Sequence, residues 1–141
     1  MFKLIYASKE RPEYVLQLNL EQILVGSRRR NAEAGVTGIL VHHGGMFLQV
    51  LEGAEAAVRK IMARIEKDMR HYDIKILATV TKLGEQREFG DWSMEFSDMT
   101  GSARVLKGFI EARHARSLAN LDEAQATKIL EAVQTDRNAS A

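Results

Sequence analysis

The chain has 141 residues, with 20 Lys and Arg against 19 Asp and Glu, and 45% of it is hydrophobic. This is enough for one domain of ordinary size with a real core, and the near-cancelled charge leaves no electrostatic footprint for nucleic acid. The lack of cysteine excludes disulfides, thiolate metal sites and a Cys nucleophile, and no stretch approaches the roughly 20 apolar residues of a membrane span. The opening "MFKLIYAS" is too short in its apolar run for a signal peptide, so a cytoplasmic protein is the expectation.

Residues 2–8 alternate as a strand, with Phe2, Leu4 and Tyr6 on one face and Lys3, Ile5 and Ala7 on the other. After the only proline, Asn19 caps an expected helix whose apolar stripe runs Leu20, Ile23, Leu24 and is then interrupted by Ser27 and Asn31. The basic run Arg28-Arg29-Arg30 reads as an exposed turn of that helix. "GVTGILVHHGGMFLQVLEG" reads as two strands joined at Gly44-Gly45. A second helix is expected over 54–69, with Val58, Ile61, Met62, Ile65 and Met69 on one face and Arg64 and Asp68 one turn apart beside it. Further strands are expected over 75–82 and 92–96, and tail helices over 102–112 and 122–133 before a frayed end.

The first six elements match the ferredoxin-like βαββαβ unit, an α+β fold with both helices on one face of the sheet. Several strands are apolar on both faces, so the two tail helices are expected to cover the other face. The expected division is a domain over 1–98 and a helical extension over 99–141.

Against this plain core, a few polar groups stand out. Gln49 sits inside "FLQVLEG" with two donors and two acceptor lone pairs to satisfy. The topology sets its strand beside that of Tyr6. Taken one at a time, a buried Tyr or Gln is satisfied by backbone or water, Arg64 and Asp68 make an ordinary surface pair, and Asn31 makes a turn. Taken together, Tyr6, Ser27, Asn31, Gln49, Arg64 and Asp68 border one space between helices and sheet, which is costly unless a polar ligand fills it. No dinucleotide, Walker, nucleophile-elbow or zinc-protease motif occurs. His42 and His43, adjacent on a strand, point to opposite faces and make a poor metal pair, so no metal site is expected. Spacing places His71 at the end of the second helix, where the dipole favours a cation.

"LIYAS", "NAEAGVTGIL" from Asn31, "FLQVLEG" from Phe47, "RIEKDMRH" from Arg64 and "WSM" from Trp92 resemble, in order and spacing over about residues 1–97, the BLUF domain, the blue-light sensor using FAD. The resemblance implies FAD, with FMN or riboflavin as variants, held between the two helices over the sheet. It implies that Tyr6 donates an electron and a proton to the photoexcited flavin and that Gln49 lies between Tyr6 and the flavin N5/C4=O edge. Asn31 would anchor the polar edge of the ring, Arg64 and Asp68 its C2=O side and ribityl region, with Ser27, Ile23 and Ile65 as further contacts. Trp92 and Met94 would carry the signal outward. Arg30 departs from the Asn or His that many members carry before the asparagine; as a donor-only group it can reach a ring carbonyl or phosphate, but cannot accept from the ring N3–H.

The implied protein is a short, single-domain, non-enzymatic photoreceptor, a homo-oligomer that signals to a separate effector and binds neither nucleic acid nor membrane. Two alternatives share the fold: a light-insensitive flavin-binding module, and a small acylphosphatase-like enzyme or flavin reductase.

Overall fold

Strand β1, Phe2–Glu10, is central because its residues are apolar on both faces: Phe2, Leu4, Ile5, Tyr6 and Ala7 are all buried. The computed structural model describes residues 1–11, 29–43, 46–69, 71–84, 86–88, 95–98 and 122–140. The helical residues 29–33 (α1) lead into β2 (Thr37–His43) and β3 (Met46–Gly53), followed by α2 (Glu55–Glu66), β4 (His71–Thr81), β5 (Glu95–Asp98) and α3 (Glu123–Ser140). The sheet order is β4-β1-β3-β2-β5, antiparallel throughout except for the parallel β2–β5 pair. The first four strands therefore stand in the expected ferredoxin-like arrangement. The hairpin ladder runs to His43↔Met46, and its Gly44-Gly45 connection lies outside the described residues.

Each face has its own apolar layer. Val58 and Met62 of α2 pack with Phe2, Leu4, Tyr6, Val36 and Leu51, flanked by Leu40, Ile61, Ile65 and Ile74. On the other face α3 contacts β2 and β4, which are not neighbours, so it lies across the strands between them. It brings Ala126, Ile129 and Leu130 into the core with Ile5, Leu48, Val50 and Ile39. Its start is a capping box: Asp122 Oδ1 accepts from Gln125 N at 2.8 Å, and Gln125 Oε1 accepts from Asp122 N at 3.0 Å.

Four expected boundaries move. Helix α2 stops at Glu66 rather than at 69, because Lys67 N and Asp68 N turn back to the Arg64 and Ile65 carbonyls (3.2 and 3.0 Å) in a tighter i to i+3 pattern. Asp68 thus lies past the helix, not one helical turn from Arg64. Strand β4 starts at His71 rather than at 75; its register with β1 shifts twice and Asp73 takes φ +53°, so the alternation that marks a strand is scrambled there. Strand β5 runs to Asp98, past the expected 96, pairing with β2 from Ile39↔Glu95 to His42↔Asp98, while the expected start at 92 lies outside the described residues. The last helix runs to Ser140, past 133, through a stretch without Gly or Pro to stop it. The helix expected from Leu20 reaches the described residues only as 29–33, and that expected over 102–112 lies outside them.

Helix α1 ends in a Schellman turn. Val36 N donates to the Asn31 carbonyl (2.8 Å), Gly35 N donates to the Ala32 carbonyl (3.2 Å), and Gly35 has φ +70°. Gly35→Ala forces a side chain into the left-handed region and should lower stability by about 1–2 kcal/mol. Urea unfolding of the two proteins measures the difference, and equal midpoints would contradict this role.

Lys82 and Glu88, after β4, are pinned to β1 and β3. Lys82 N donates to the Met1 carbonyl at 2.8 Å. The Glu88 carboxylate pairs with Lys82 Nζ and with Lys3 Nζ (3.3 Å), and Glu88 N donates to Glu52 Oε2 at 3.1 Å. Lys3 and Glu52 face each other across β1 and β3 and are buried, so each needs such a partner.

Candidate functional site

Tyr6 and Gln49 are directly opposite in the β1–β3 ladder. Their side chains therefore emerge side by side on the α2-covered face, and the Tyr6 hydroxyl donates to Gln49 Oε1. Both are buried, at 3% and 6% exposure. The missing partner of the Gln49 acceptor is thus a phenol, while its Nε2 hydrogens form the donor end of the amide.

Asn31 is placed by the Schellman turn. Its carbonyl is used by Val36 N, which frees its side chain from any capping duty. It is only 4% exposed, so its side-chain amide needs a polar partner. A buried amide so placed is what a polar ligand would satisfy.

The Tyr6 phenol is held neutral. Burial pushes its pKa well above the usual 10.0, and the Asp68 carboxylate pushes it the same way. The folded protein therefore keeps a proton that the unfolded chain loses. The stability due to the neutral phenol is complete below pH 10.0 and is lost progressively as pH rises above it. Urea midpoints between about pH 9 and pH 11.5 should fall more steeply in the wild type than in Tyr6→Phe; parallel slopes would count against a neutral buried phenol.

The remaining expected site residues divide by position. Ile65 is half-buried against the Tyr6 cluster and Asp68 is half-buried just past α2. Arg64 and Arg30 have exposed side chains. Ile23, Ser27, Trp92 and Met94 lie outside the described residues.

His71 was not among the expected site residues. It opens β4, buried, with its ring edge-on to Tyr6 and Phe47 at centroid separations of 6.2 and 6.4 Å. Its Nε2 lies 2.7 Å from the Ile65 carbonyl, which can only accept, so Nε2 carries the hydrogen. In the neutral ring Nδ1 then accepts from Ser8 Oγ, at 2.8 Å. One imidazole thus ties the end of α2 to β1 beside the Tyr6 ring. The dipole argument set His71 at the helix end, while its bond to the Ile65 carbonyl and its Ser8 partner depend on geometry and on bulges in the β1–β4 register that spacing does not reveal.

No group of His, Cys, Asp and Glu suited to a metal ion occurs among the described residues, and no helix there is long and apolar enough to cross a membrane.

The family model for BLUF, sensors of blue-light using FAD, matches residues 1–95. The chain is 38% identical over 96 residues to the blue light- and temperature-regulated antirepressor BluF of Escherichia coli (strain K12), covering 68% of this chain and 23% of that protein. It is 43% identical over 58 residues to the photoactivated adenylate cyclase subunit beta of Euglena gracilis, covering 41% of this chain and 7% of the other. It thus spans less than a quarter of these curated relatives. Among solved structures, BlsA in its photo-activated state superposes with TM-score 0.81 at 27% identity, over 92% of this chain and 91% of that one. The dark state of BlrB, a BLUF protein, gives 0.70 at 29% identity, over 91% and 94%. With the family model spanning most of its length, the chain belongs to the BLUF family, the sensors of blue light using FAD.

Proposed function

We propose that this chain is a blue-light photoreceptor in which the Tyr6–Gln49 hydrogen bond is the switching element. The observation that carries the reading is that buried bond itself; the Asn31 side chain is buried as well. These residues suit a flavin. Asn31 would hold a polar edge of the ring, Gln49 would present its amide to it, Asp68 and Ile65 would border it, and Ser27, Ile23, Arg30 and Arg64 would complete the contacts. Bound FAD supplies the absorption of blue light and, once excited, the acceptor for an electron from Tyr6.

The residues of the chain do the rest. An oxidised phenol becomes strongly acidic, and Gln49 Oε1 is the acceptor already in contact with its proton. When the electron returns, that proton passes back from Oε1 to the Tyr6 oxygen along the same contact, and the neutral amide, released in the exchange, rotates so that the hydroxyl meets its other end. A phenol oxygen accepts as well as donates, so it is satisfied by Gln49 Nε2–H just as it was by Oε1. Two discrete arrangements in a water-poor site make a switch rather than a continuum. In the second, the Gln49 acceptor faces away from Tyr6, and the surrounding hydrogen bonds change with it.

The output of that switch is non-enzymatic. Residues 1–98 would form the sensor and 99–141 an extension whose α3 lies on the far face of the sheet, against β2 and β4. Trp92 and Met94, just before β5, would carry the change toward that face. A separate cytoplasmic effector protein would read it, and a second copy of the chain would assemble on the same unit. The likeness to an antirepressor and to a photoactivated cyclase supports signalling to an effector of regulatory type.

Purified protein loaded with FAD should be yellow and should show a small red shift in blue light that reverses in the dark. A colourless protein, or a flavin that only bleaches, would overturn the reading.

A further inference from the structure

Asn31 owes its position to a turn that is itself held from outside. The Gly35 carbonyl, at the end of that turn, accepts from Arg87 Nη2 at 2.6 Å. Arg87 Nη1 donates at 3.0 Å to Thr37 Oγ1, at the start of β2, and at 3.0 Å to the Glu52 carbonyl, near the end of β3. One guanidinium thus fastens three segments that are far apart in sequence, and its planar fork suits divergent acceptors in a way that a lysine ammonium does not. Arg87 is fixed in turn through its neighbour, because Glu88 is tied to Lys3, Lys82 and Glu52.

The turn is also closed from the other side. A Cβ added at Gly53 would lie 3.0 Å from the Gly35 carbonyl oxygen and 3.1 Å from Val36 Cγ2. The first is a backbone atom already held by Arg87, so it cannot yield without moving the turn. Val36 in turn donates to the Asn31 carbonyl. The contacts are continuous from Arg87, through Gly35 and Val36, to Asn31.

We infer that Arg87 is a positioning residue of the light reaction: it fixes the turn that presents the Asn31 amide to the flavin, from the chain segment that leads to β5. The inference rests on the photoreceptor reading above. The hydrogen bonds of Arg87 go to Gly35, Thr37 and Glu52 rather than to Tyr6, Gln49 or the Asn31 side chain, so it acts through where Asn31 sits.

The test uses the FAD-loaded protein and reads the dark absorption maximum, the light-induced red shift and the dark recovery rate. Arg87→Lys keeps the charge but loses the fork, and Gly53→Ala pushes the same turn from the opposite side. Both should move the dark maximum and change recovery by about tenfold, since displacements well under 1 Å have effects of that size at a reacting site. Their combination should depart from the product of the single effects, because they act on one turn.

Lys128→Gly, at an exposed position of α3, should lower Tm through helix propensity alone and leave the spectrum and recovery unchanged. If both site variants lose stability but keep the wild-type spectrum and recovery, as Lys128→Gly does, or if only one of them shifts, the inference is wrong. Should Arg87→Lys fail to hold flavin, Thr37→Val, which removes one of the three bonds, is read in its place. A wild-type protein without a reversible red shift would overturn the photoreceptor reading itself, a result distinct from variants that merely behave as wild type.

Discussion

Tyr6→Phe should bind FAD, remain yellow and show no reversible red shift. The substitution removes one oxygen from a fully packed position, so ring packing in the β1 core is kept. What goes is the hydroxyl that donates to Gln49 Oε1, together with the easily oxidised phenol. Leaving the Gln49 acceptor without its donor costs about 1–3 kcal/mol, which a domain of this size tolerates. The yield of the red-shifted state should fall at least about 100-fold, the scale seen when a group acting mainly in the reacting state is removed. A normal photocycle in Tyr6→Phe would eliminate the donor role even though the family assignment stands.

Gln49→Leu separates the two halves of the mechanism. Leucine is close in size but has no acceptor or donor end, so no second arrangement exists to be populated. The red shift should vanish as completely as in Tyr6→Phe. Tyr6 itself is unchanged, however, and can still quench the flavin's fluorescence by giving up an electron. Fluorescence lifetimes distinguish the two: short in Gln49→Leu, lengthened in Tyr6→Phe. A red shift that survives in Gln49→Leu would place the switch elsewhere. The buried Tyr6 hydroxyl left without its acceptor should also lower stability by about 1–3 kcal/mol.

Much of this was legible in the sequence because strand parity is strict. Once β1 and β3 are neighbours, the alternation in "FKLIYAS" and "FLQVLEG" puts Tyr6 and Gln49 on the core face with Leu4 and Leu51. The Schellman turn was half-legible: Gly35 after a helical stretch marks an end, but that Asn31 would use its carbonyl there and leave its side chain in the site requires the geometry. The end of α2 was misread because apolar spacing continues to Met69 after the hydrogen bonds have tightened at Lys67, and Met69 is in fact 66% exposed. The start of β4 was missed because bulges and an aspartate at positive φ scramble its alternation, which also hid the contact of His71 with Ser8.

The Arg87–Glu88 clasp was not legible. Its two charges sit in an ordinary polar stretch, and their partners, Lys3, Gly35, Thr37 and Glu52, come from sites 35 or more residues away in sequence. Buried Lys3 and Glu52, alternating with core residues on β1 and β3, were the available signal. Two opposed charges at strand positions that otherwise face a core ask for a third group, and Glu88 is that group for Lys3.

The central claim is that light changes the hydrogen bonding of the Gln49 side chain. Light-minus-dark infrared spectra of the FAD-loaded protein, with and without isotopically labelled glutamine, address it directly. A label-sensitive pair of amide bands should appear with the red shift, decay with it in the dark, and be absent from Gln49→Leu. A full, reversible red shift with no glutamine band would contradict it.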